Sequence, residues 1–453
     1  MKAINPLTGE LIKEYQTDTP SETAAKLEKA EGGFQDWKTL PYAERAGYLL
    51  KVSDVLESKK RELATLMARE MGKPLQAGMG EISKCALVCR YYAENAGKFL
   101  QKDVISTDAS ESYVTFQPLG VILAVMPWNF PFWQTFRFLA PGLMAGNAAV
   151  LKHASNVPGC ALATEEILRE AGIPEYVFQT LLISSSEVEE IIKNPIIKAV
   201  TLTGSTDAGM KVAGQAASLL KKAVLELGGS DPYLIFEDAD IELAATKCAE
   251  SRLINAGQSC IAAKRFIVLE GAAESFISRF KEKMAAQQPG DPLDEKTSMG
   301  PMATVKLRDE LHEQVQKSIE AGAECILGGT VEPGPHAFYP PTILTNVKKG
   351  MPAYDEELFG PVASVIVVKD EEEALRVAND TTFGLGSAIF TSDQERAVRI
   401  AERGVDAGCC FVNDYVRSIP ELPFGGVKQS GYGRELGIYG IREFVNIKTV
   451  YRA

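Results

Sequence analysis

Four continuous apolar runs, at residues 121–126, 148–151, 178–183 and 199–202, constrain this chain more than any other feature. A strand with one wet face alternates apolar and polar residues, so an unbroken apolar run reads as a strand covered on both faces. Helical spacing fills the gaps at 132–144, 158–171 and 187–193. Strand and helix alternating in this way build βαβ units on a parallel sheet, with ligands at the carboxyl ends of its strands. After Gly228-Gly229 the pattern restarts. Apolar runs at 233–236, 265–269, 362–368, 385–390 and 409–412 alternate with helical stretches, which predicts a second α/β domain.

The flanking segments differ in character. Asn5-Pro6-Leu7-Thr8-Gly9 reads as the turn of a short hairpin. Thr19-Pro20-Ser21-Glu22 is a helix start, with Thr19 as cap, Pro20 in the first position and Glu22 three residues on. Amphipathic helix follows, with breaks, to about residue 98. Residues 102–117 alternate polar and β-forming side chains, as a strand or hairpin does, and 443–450 is β-forming and suited to a partner's edge.

A net charge of −12 argues against nucleic acid or an anionic membrane as partner, and an anionic substrate would need a local cation. The eight Cys show no framework spacing, and Cys85 and Cys89 lack further ligands nearby, so no metal is expected. Met1-Lys2-Ala3-Ile4-Asn5-Pro6 lacks the apolar segment of a leader, and no run reaches membrane-spanning length. A cytoplasmic protein with reduced thiols is the expectation.

Several short stretches carry chemistry. Asn255-Ala256-Gly257-Gln258-Ser259-Cys260 sets a thiol in a turn between helix and strand, where it is either an inert buried Cys or a nucleophile whose site favours the thiolate. Pro127-Trp128-Asn129-Phe130-Pro131 fixes an amide donor at a strand's carboxyl end, suited to an oxyanion or to a local turn. Thr203-Gly204-Ser205-Thr206-Asp207-Ala208-Gly209 opens a helix in a way that suits phosphate. Glu226, before Leu227-Gly228-Gly229, is a candidate general base with room beside it for water or ligand, or else a member of an ion pair. Glu357-Leu358-Phe359-Gly360-Pro361 offers a carboxylate for ribose hydroxyls and an aromatic for a planar ring. The glycine-rich 423–431 stretch completes the set.

In combination and in order, these motifs resemble the aldehyde dehydrogenase superfamily, along nearly the whole chain. The resemblance implies an α/β fold: a Rossmann-like NAD(P)-binding domain at 1–97 and 119–228, a second α/β catalytic domain at 229–439, and a small β oligomerisation element at 98–118 and 440–453. It implies a homodimer or homotetramer. It makes Cys260 the nucleophile, Asn129 with the Cys260 N–H the oxyanion holders, and Glu226 the base that activates water against a thioester. Trp128, Lys152, Gly204, Ser205, Glu357 and Phe359 fall on the cofactor site.

Two positions narrow the expectation. NAD-preferring members commonly read Lys-Pro-Ala-Glu where this chain has Lys152-His153-Ala154-Ser155; losing the Glu removes a charge that would repel a 2′-phosphate, so NADP is expected over NAD. His153 is expected to be a tolerated surface change. Arg137 and Ser418 match positions that bind the distal carboxylate in the family's succinate-semialdehyde branch. Ile254 stands where some members carry a second Arg, which Arg252 or Arg417 would have to replace. The expected reaction is NADP-linked oxidation of succinate semialdehyde to succinate. The alternatives are another short aldehyde (glutarate semialdehyde, aliphatic or aromatic), or a cofactor-independent thiol hydrolase or esterase, which leaves 203–209 and Glu357 unexplained.

Overall fold

A computed structural model describes residues 1–453. The four apolar runs lie in one six-stranded sheet, ordered Gly431–Tyr432, Lys222–Glu226, Ile197–Thr203, Val121–Met126, Ala148–His153, Phe178–Thr180. All neighbours are parallel except the two-residue edge, Gly431–Tyr432. Val121, Ile122, Leu123 and Ala124 are wholly buried, as strands covered on both faces must be. Thr19 caps the helix Pro20–Trp37 through the reciprocal contact with Glu22.

The chain winds from Val121–Met126 outward through Ala148–His153, then returns to the other side at Ile197–Thr203. This reversal leaves a crevice between the loops that follow Met126 and Thr203 at the strands' carboxyl ends. The Pro127–Pro131 and Thr203–Gly209 motifs therefore face each other for a topological reason.

A second sheet of seven strands is ordered Glu324–Leu327, Thr342–Thr345, Val362–Val368, Arg265–Leu269, Pro232–Ile235, Gly386–Phe390, Cys409–Val412. Two of its strands, Glu324–Leu327 and Thr342–Thr345, are not legible in the sequence. The first is a partly exposed edge strand, and the second is four residues long and directly follows two prolines.

The third sheet corrects an expectation. Val445–Arg452 pairs antiparallel with Glu111–Pro118 of its own chain, from Val445 opposite Pro118 to Arg452 opposite Glu111. Only its outer edge is left for another copy. The chain also leaves the second unit before residue 439. Phe424, Leu436, Ile441 and Phe444 are buried in the core of the first unit, and Gly431–Tyr432 is an edge of its sheet. The apolar contacts of 424–445 pull this segment back across, and no composition change marks the crossing.

Candidate active site

Two cavities meet at Cys260. One, about 260 Å³, is lined by Trp128, Asn129, Gly204, Ser205, Glu357 and Phe359 among others. The other, about 430 Å³, is walled by Phe130, Trp133, Ile254, Ile261 and Phe424 and carries Lys84, Arg137, Arg417 and Ser418. Both include Cys260. The dispersed sequence motifs are thus one site, with a thiol at the junction of two binding spaces.

The backbone before the thiol is strained. Asn255 (φ 54°, ψ 42°) and Ala256 (φ 52°, ψ 39°) both adopt the left-handed conformation that costs a non-glycine residue of order 1 kcal/mol or more. Side chains hold it there. Asn255 Nδ2 donates to the Asn129 carbonyl at 2.9 Å and the Gln258 carbonyl at 3.2 Å, and Gln258 Nε2 donates to the Asn255 carbonyl at 3.1 Å. Gly257 is required next: its φ is +74°, and a Cβ there would overlap the Gly360 carbonyl.

Asn129 Nδ2 uses one donor on the Gln258 carbonyl at 3.1 Å, which fixes the amide plane and leaves its second N–H. The Cys260 amide N–H donates to no protein group. Two unclaimed donors beside one sulfur are what a developing oxyanion needs. Lys264, buried, donates to the Cys260 carbonyl at 2.6 Å and the Ser259 carbonyl at 2.9 Å, and pairs with Glu357 at 3.2 Å.

The Cys260 thiol does not rest as a thiolate. Burial pushes it up to about 12, against the pull of Arg137 and Lys264. This departs from the expectation of a thiolate-favouring site; the desolvation of a half-buried sulfur outweighs its cationic neighbours. Alkylation of Cys260 by iodoacetamide in the cofactor-free protein, followed on its own peptide, is therefore expected to speed up about tenfold per pH unit from pH 7 to 10. A rate already level below pH 8 would contradict it.

Glu226 ends the strand Lys222–Glu226 and is buried, with neither carboxylate oxygen hydrogen-bonded. Burial holds its carboxyl well above the usual range; Arg137 opposes this and the Glu435 carboxylate adds to it. Gly425 (φ +155°) leaves the room it occupies, since a Cβ there would lie 2.7 Å from Glu226 Oε1. The space expected beside Gly228-Gly229 is instead taken by Glu357, which accepts from the Gly229 N–H at 3.1 Å.

Arg137 lines the larger cavity, but its guanidinium is ion-paired with Glu435, both side chains buried, and lies 4.9 Å from the Phe424 ring centre. The resemblance assigns it to a substrate carboxylate; in this structure it stands on the cavity wall with Glu435 beside it, whose carboxyl burial holds above the usual range. Arg252 is buried against the Gly257 carbonyl at 2.6 Å and lines neither cavity, whereas Arg417 lines the larger one and pairs with Asp414 at 2.8 Å. Ser418 accepts a 2.8 Å hydrogen bond from Lys84 Nζ.

Lys84 and Glu81 escaped the sequence reading. Ala77, Gly80, Glu81 and Lys84 repeat at helical spacing and present one face of Leu75–Phe99 to the cavity. A lysine in the 82–88 stretch, where Ser83 is the only other polar residue, was the available signal. Glu81 pairs with Lys73 and accepts the Phe132 and Trp133 N–H groups at 2.9 Å, anchoring the start of the helix Trp133–Met144.

The smaller cavity suits a dinucleotide. Gly204 and Ser205 stand at the start of the helix Thr206–Ser218 beside the aromatic pair Trp128 and Phe359, whose ring centres are 5.8 Å apart. Lys152 Nζ makes no hydrogen bond or ion pair, and Ser155 is exposed in the turn after the strand Ala148–His153. His153 is not a surface change. It is buried, its Nε2 lies 2.9 Å from the Pro131 carbonyl, its Nδ1 accepts the Ala154 N–H, and burial lowers it to about 4. As a neutral ring it ties the strand to the Asn129 loop.

This fold and site define a class. The chain belongs to the aldehyde dehydrogenase family, whose pattern matches residues 1–450. Among its relatives, a probable succinate-semialdehyde dehydrogenase (NADP+) of Synechocystis sp. is 50% identical over 450 residues, 99% of each chain. A succinate-semialdehyde dehydrogenase (NADP+) 1 of Mycobacterium tuberculosis is 48% identical over 453 residues, again 99% of each. The crystal structure of succinic semialdehyde dehydrogenase from Streptococcus pyogenes with NADP+ superposes with a TM-score of 0.97 at 38% identity, covering 99% of both chains. A lactaldehyde dehydrogenase reaches 0.96 at 32% identity, covering 100% of this chain and 96% of that one, so the backbone alone does not select the aldehyde.

Proposed function

We propose that this protein is an oxidoreductase that converts succinate semialdehyde to succinate with NADP as hydride acceptor. The observation that carries the reading is the pair of cavities sharing Cys260, one with a dinucleotide-type lining and one apolar with cations and a hydroxyl. The near-half identity to relatives named for this reaction supports the choice of aldehyde.

In this reading Cys260 Sγ loses its proton and adds to the aldehyde carbon, and the oxygen takes up negative charge between the Asn129 amide and the Cys260 N–H. Trp128, Lys152, Gly204, Ser205, Glu357 and Phe359 would hold a nicotinamide dinucleotide, which would supply the hydride acceptor. Loss of hydride from the carbon bonded to Cys260 Sγ, with the oxygen's charge collapsing to a carbonyl, leaves an acyl thioester on Cys260. Glu226 takes a proton from the water that attacks this thioester, releasing the acid and the thiol. A panel of aldehydes against both cofactors tests the reading. The highest kcat/KM is expected for succinate semialdehyde with NADP; a better rate with an uncharged aldehyde or with NAD would overturn it.

The cofactor preference rests on Lys152 and on the missing charge at Ser155. Ser155→Glu is expected to cut kcat/KM for NADP by roughly 10- to 100-fold while leaving that for NAD unchanged or higher. An unaltered NADP-to-NAD ratio would remove this basis.

The assembly proposed is a homodimer or homotetramer built on 98–118 and 440–453. Val104, Ile447 and Tyr451 are 78%, 60% and 54% exposed there, apolar surface that a second copy would cover. No helix is long and apolar enough to cross a membrane. With reduced thiols and a dinucleotide cofactor, the cytoplasm is the proposed location.

A further inference from the structure

Lys264 and Arg265 are consecutive buried cations where the chain enters the strand Arg265–Leu269, and they serve different surroundings. Arg265 is satisfied by carbonyls: Ser230 at 3.0 Å, and Val377 and Ala378 at 2.8 and 2.9 Å near the end of the helix Glu371–Asn379, where a cation is favoured. Lys264 instead spends its three donors around the nucleophile, on the Ser259 carbonyl at 2.9 Å, the Cys260 carbonyl at 2.6 Å and the Glu357 carboxylate at 3.2 Å. Its own backbone is fixed by neighbouring chain: its N–H donates to the Asp231 carbonyl at 3.3 Å, and its carbonyl accepts the Ser364 N–H at 2.9 Å. Burying an ammonium is costly, and the turn before the thiol is already held by the Asn255 and Gln258 side chains. What Lys264 adds is polarity. The Ser259 carbonyl and the Cys260 N–H belong to one peptide group, so a cation on the oxygen strengthens the N–H as a donor. The Ser259 carbonyl also accepts the Ala262 N–H at 3.1 Å, which sets the plane of that peptide.

We infer that Lys264 is a positioning residue for the reaction: through the Ser259 carbonyl it holds and polarises the Cys260 N–H that receives the oxyanion. Through Glu357 it ties the same peptide to the wall of the dinucleotide cavity. Lys264 lines neither cavity, so it acts only through these groups. The inference rests on the proposed function, since an oxyanion arises there only when an aldehyde adds to Cys260.

The test compares two reactions of the same sulfur. Alkylation of Cys260 by iodoacetamide in the cofactor-free protein forms no oxyanion, because the sulfur displaces iodide directly. The first turnover of cofactor reduction, on mixing with NADP and succinate semialdehyde, passes through one. Lys264→Met is expected to slow the first turnover by roughly 10- to 100-fold more than it slows alkylation at the same pH, with little change in KM for the aldehyde. Some loss of alkylation is expected too, since Lys264 opposes the effect of burial on the thiol. Lys264→Gln keeps an uncharged N–H donor for the carbonyls and should show the same excess slowing at about 3- to 10-fold. It keeps the assignment open to refutation if the methionine variant folds poorly. Equal slowing of both reactions in these variants, or no slowing, would overturn the role of Lys264 and leave the proposed function standing. If the unaltered enzyme reduces neither cofactor with any aldehyde, the proposed function fails and the inference with it.

Discussion

With Glu226 replaced by glutamine, the enzyme is expected to reduce about one equivalent of cofactor per site and then turn over about 10²- to 10⁴-fold more slowly than before. The first half of the reaction needs the thiol and the oxyanion donors, which Glu226 does not hydrogen-bond. The second half needs water activated against a thioester, and Glu226 is a buried carboxyl with both oxygens unengaged whose charge reaches the thiol. Glutamine is a close steric and electrostatic match for the resting residue, because burial keeps the carboxyl protonated well above its ordinary range. Folding should therefore be little affected, and the block should fall on hydrolysis alone. The same shift gives a pH sign. A base with a raised pKa is ionised in a fraction that grows with pH, so thioester hydrolysis in the unaltered enzyme should quicken as pH rises. Stopped-flow absorbance of reduced cofactor separates the burst from the steady state. Loss of the burst together with turnover would assign Glu226 to the first half instead.

Arg137→Ala is expected to destabilise the protein by about 3–5 kcal/mol near neutral pH, the cost of breaking a buried ion pair from one side. Both side chains of the Arg137–Glu435 pair are buried, and Glu226 lies in the same field, so the change leaves two carboxyls without their common cation. Glu435 already has a raised pKa through burial, and losing Arg137 raises it further. A carboxyl raised on folding is penalised increasingly as pH climbs from its unfolded value towards its folded one. The destabilisation should therefore shrink as the pH falls and Glu435 takes up its proton. Arg137→Ala with Glu435→Gln should recover much of the loss, a double-mutant cycle with strong coupling. Urea unfolding across pH measures the first effect. A change below about 1 kcal/mol, or one confined to KM for succinate semialdehyde, would return Arg137 to the direct carboxylate role that the resemblance gave it.

The contrast between these residues marks what a sequence can display. The strands at 121–126 and 197–203 were legible because burial on both faces leaves a largely apolar run, unbroken in the first and carrying Lys198, Thr201 and Thr203 in the second, and their carboxyl ends located the Asn129 and Ser205 loops. Cys260 and Glu226 were legible through the short motifs around them. The Arg137–Glu435 pair was not, because it joins a helix to a segment that returns from the second unit, and nothing local to either residue records the other. Lys84 was hidden similarly, on a helix that looked like ordinary amphipathic cover for the sheet. His153 was misread as a surface residue, since a polar side chain at a strand end gives no sign that a neighbouring loop's carbonyl will satisfy it. The edge strand Glu324–Leu327 lacks the apolar run that exposed the others.

The claim beneath all of this is that the sulfur of Cys260 carries the acyl group. Mass spectrometry of the Glu226→Gln protein, quenched after mixing with NADP and succinate semialdehyde, tests it most directly. A gain of about 100 Da, the succinyl group replacing the thiol hydrogen, is expected on the peptide containing Cys260. No gain during the burst, or a gain on any other residue, would contradict the account.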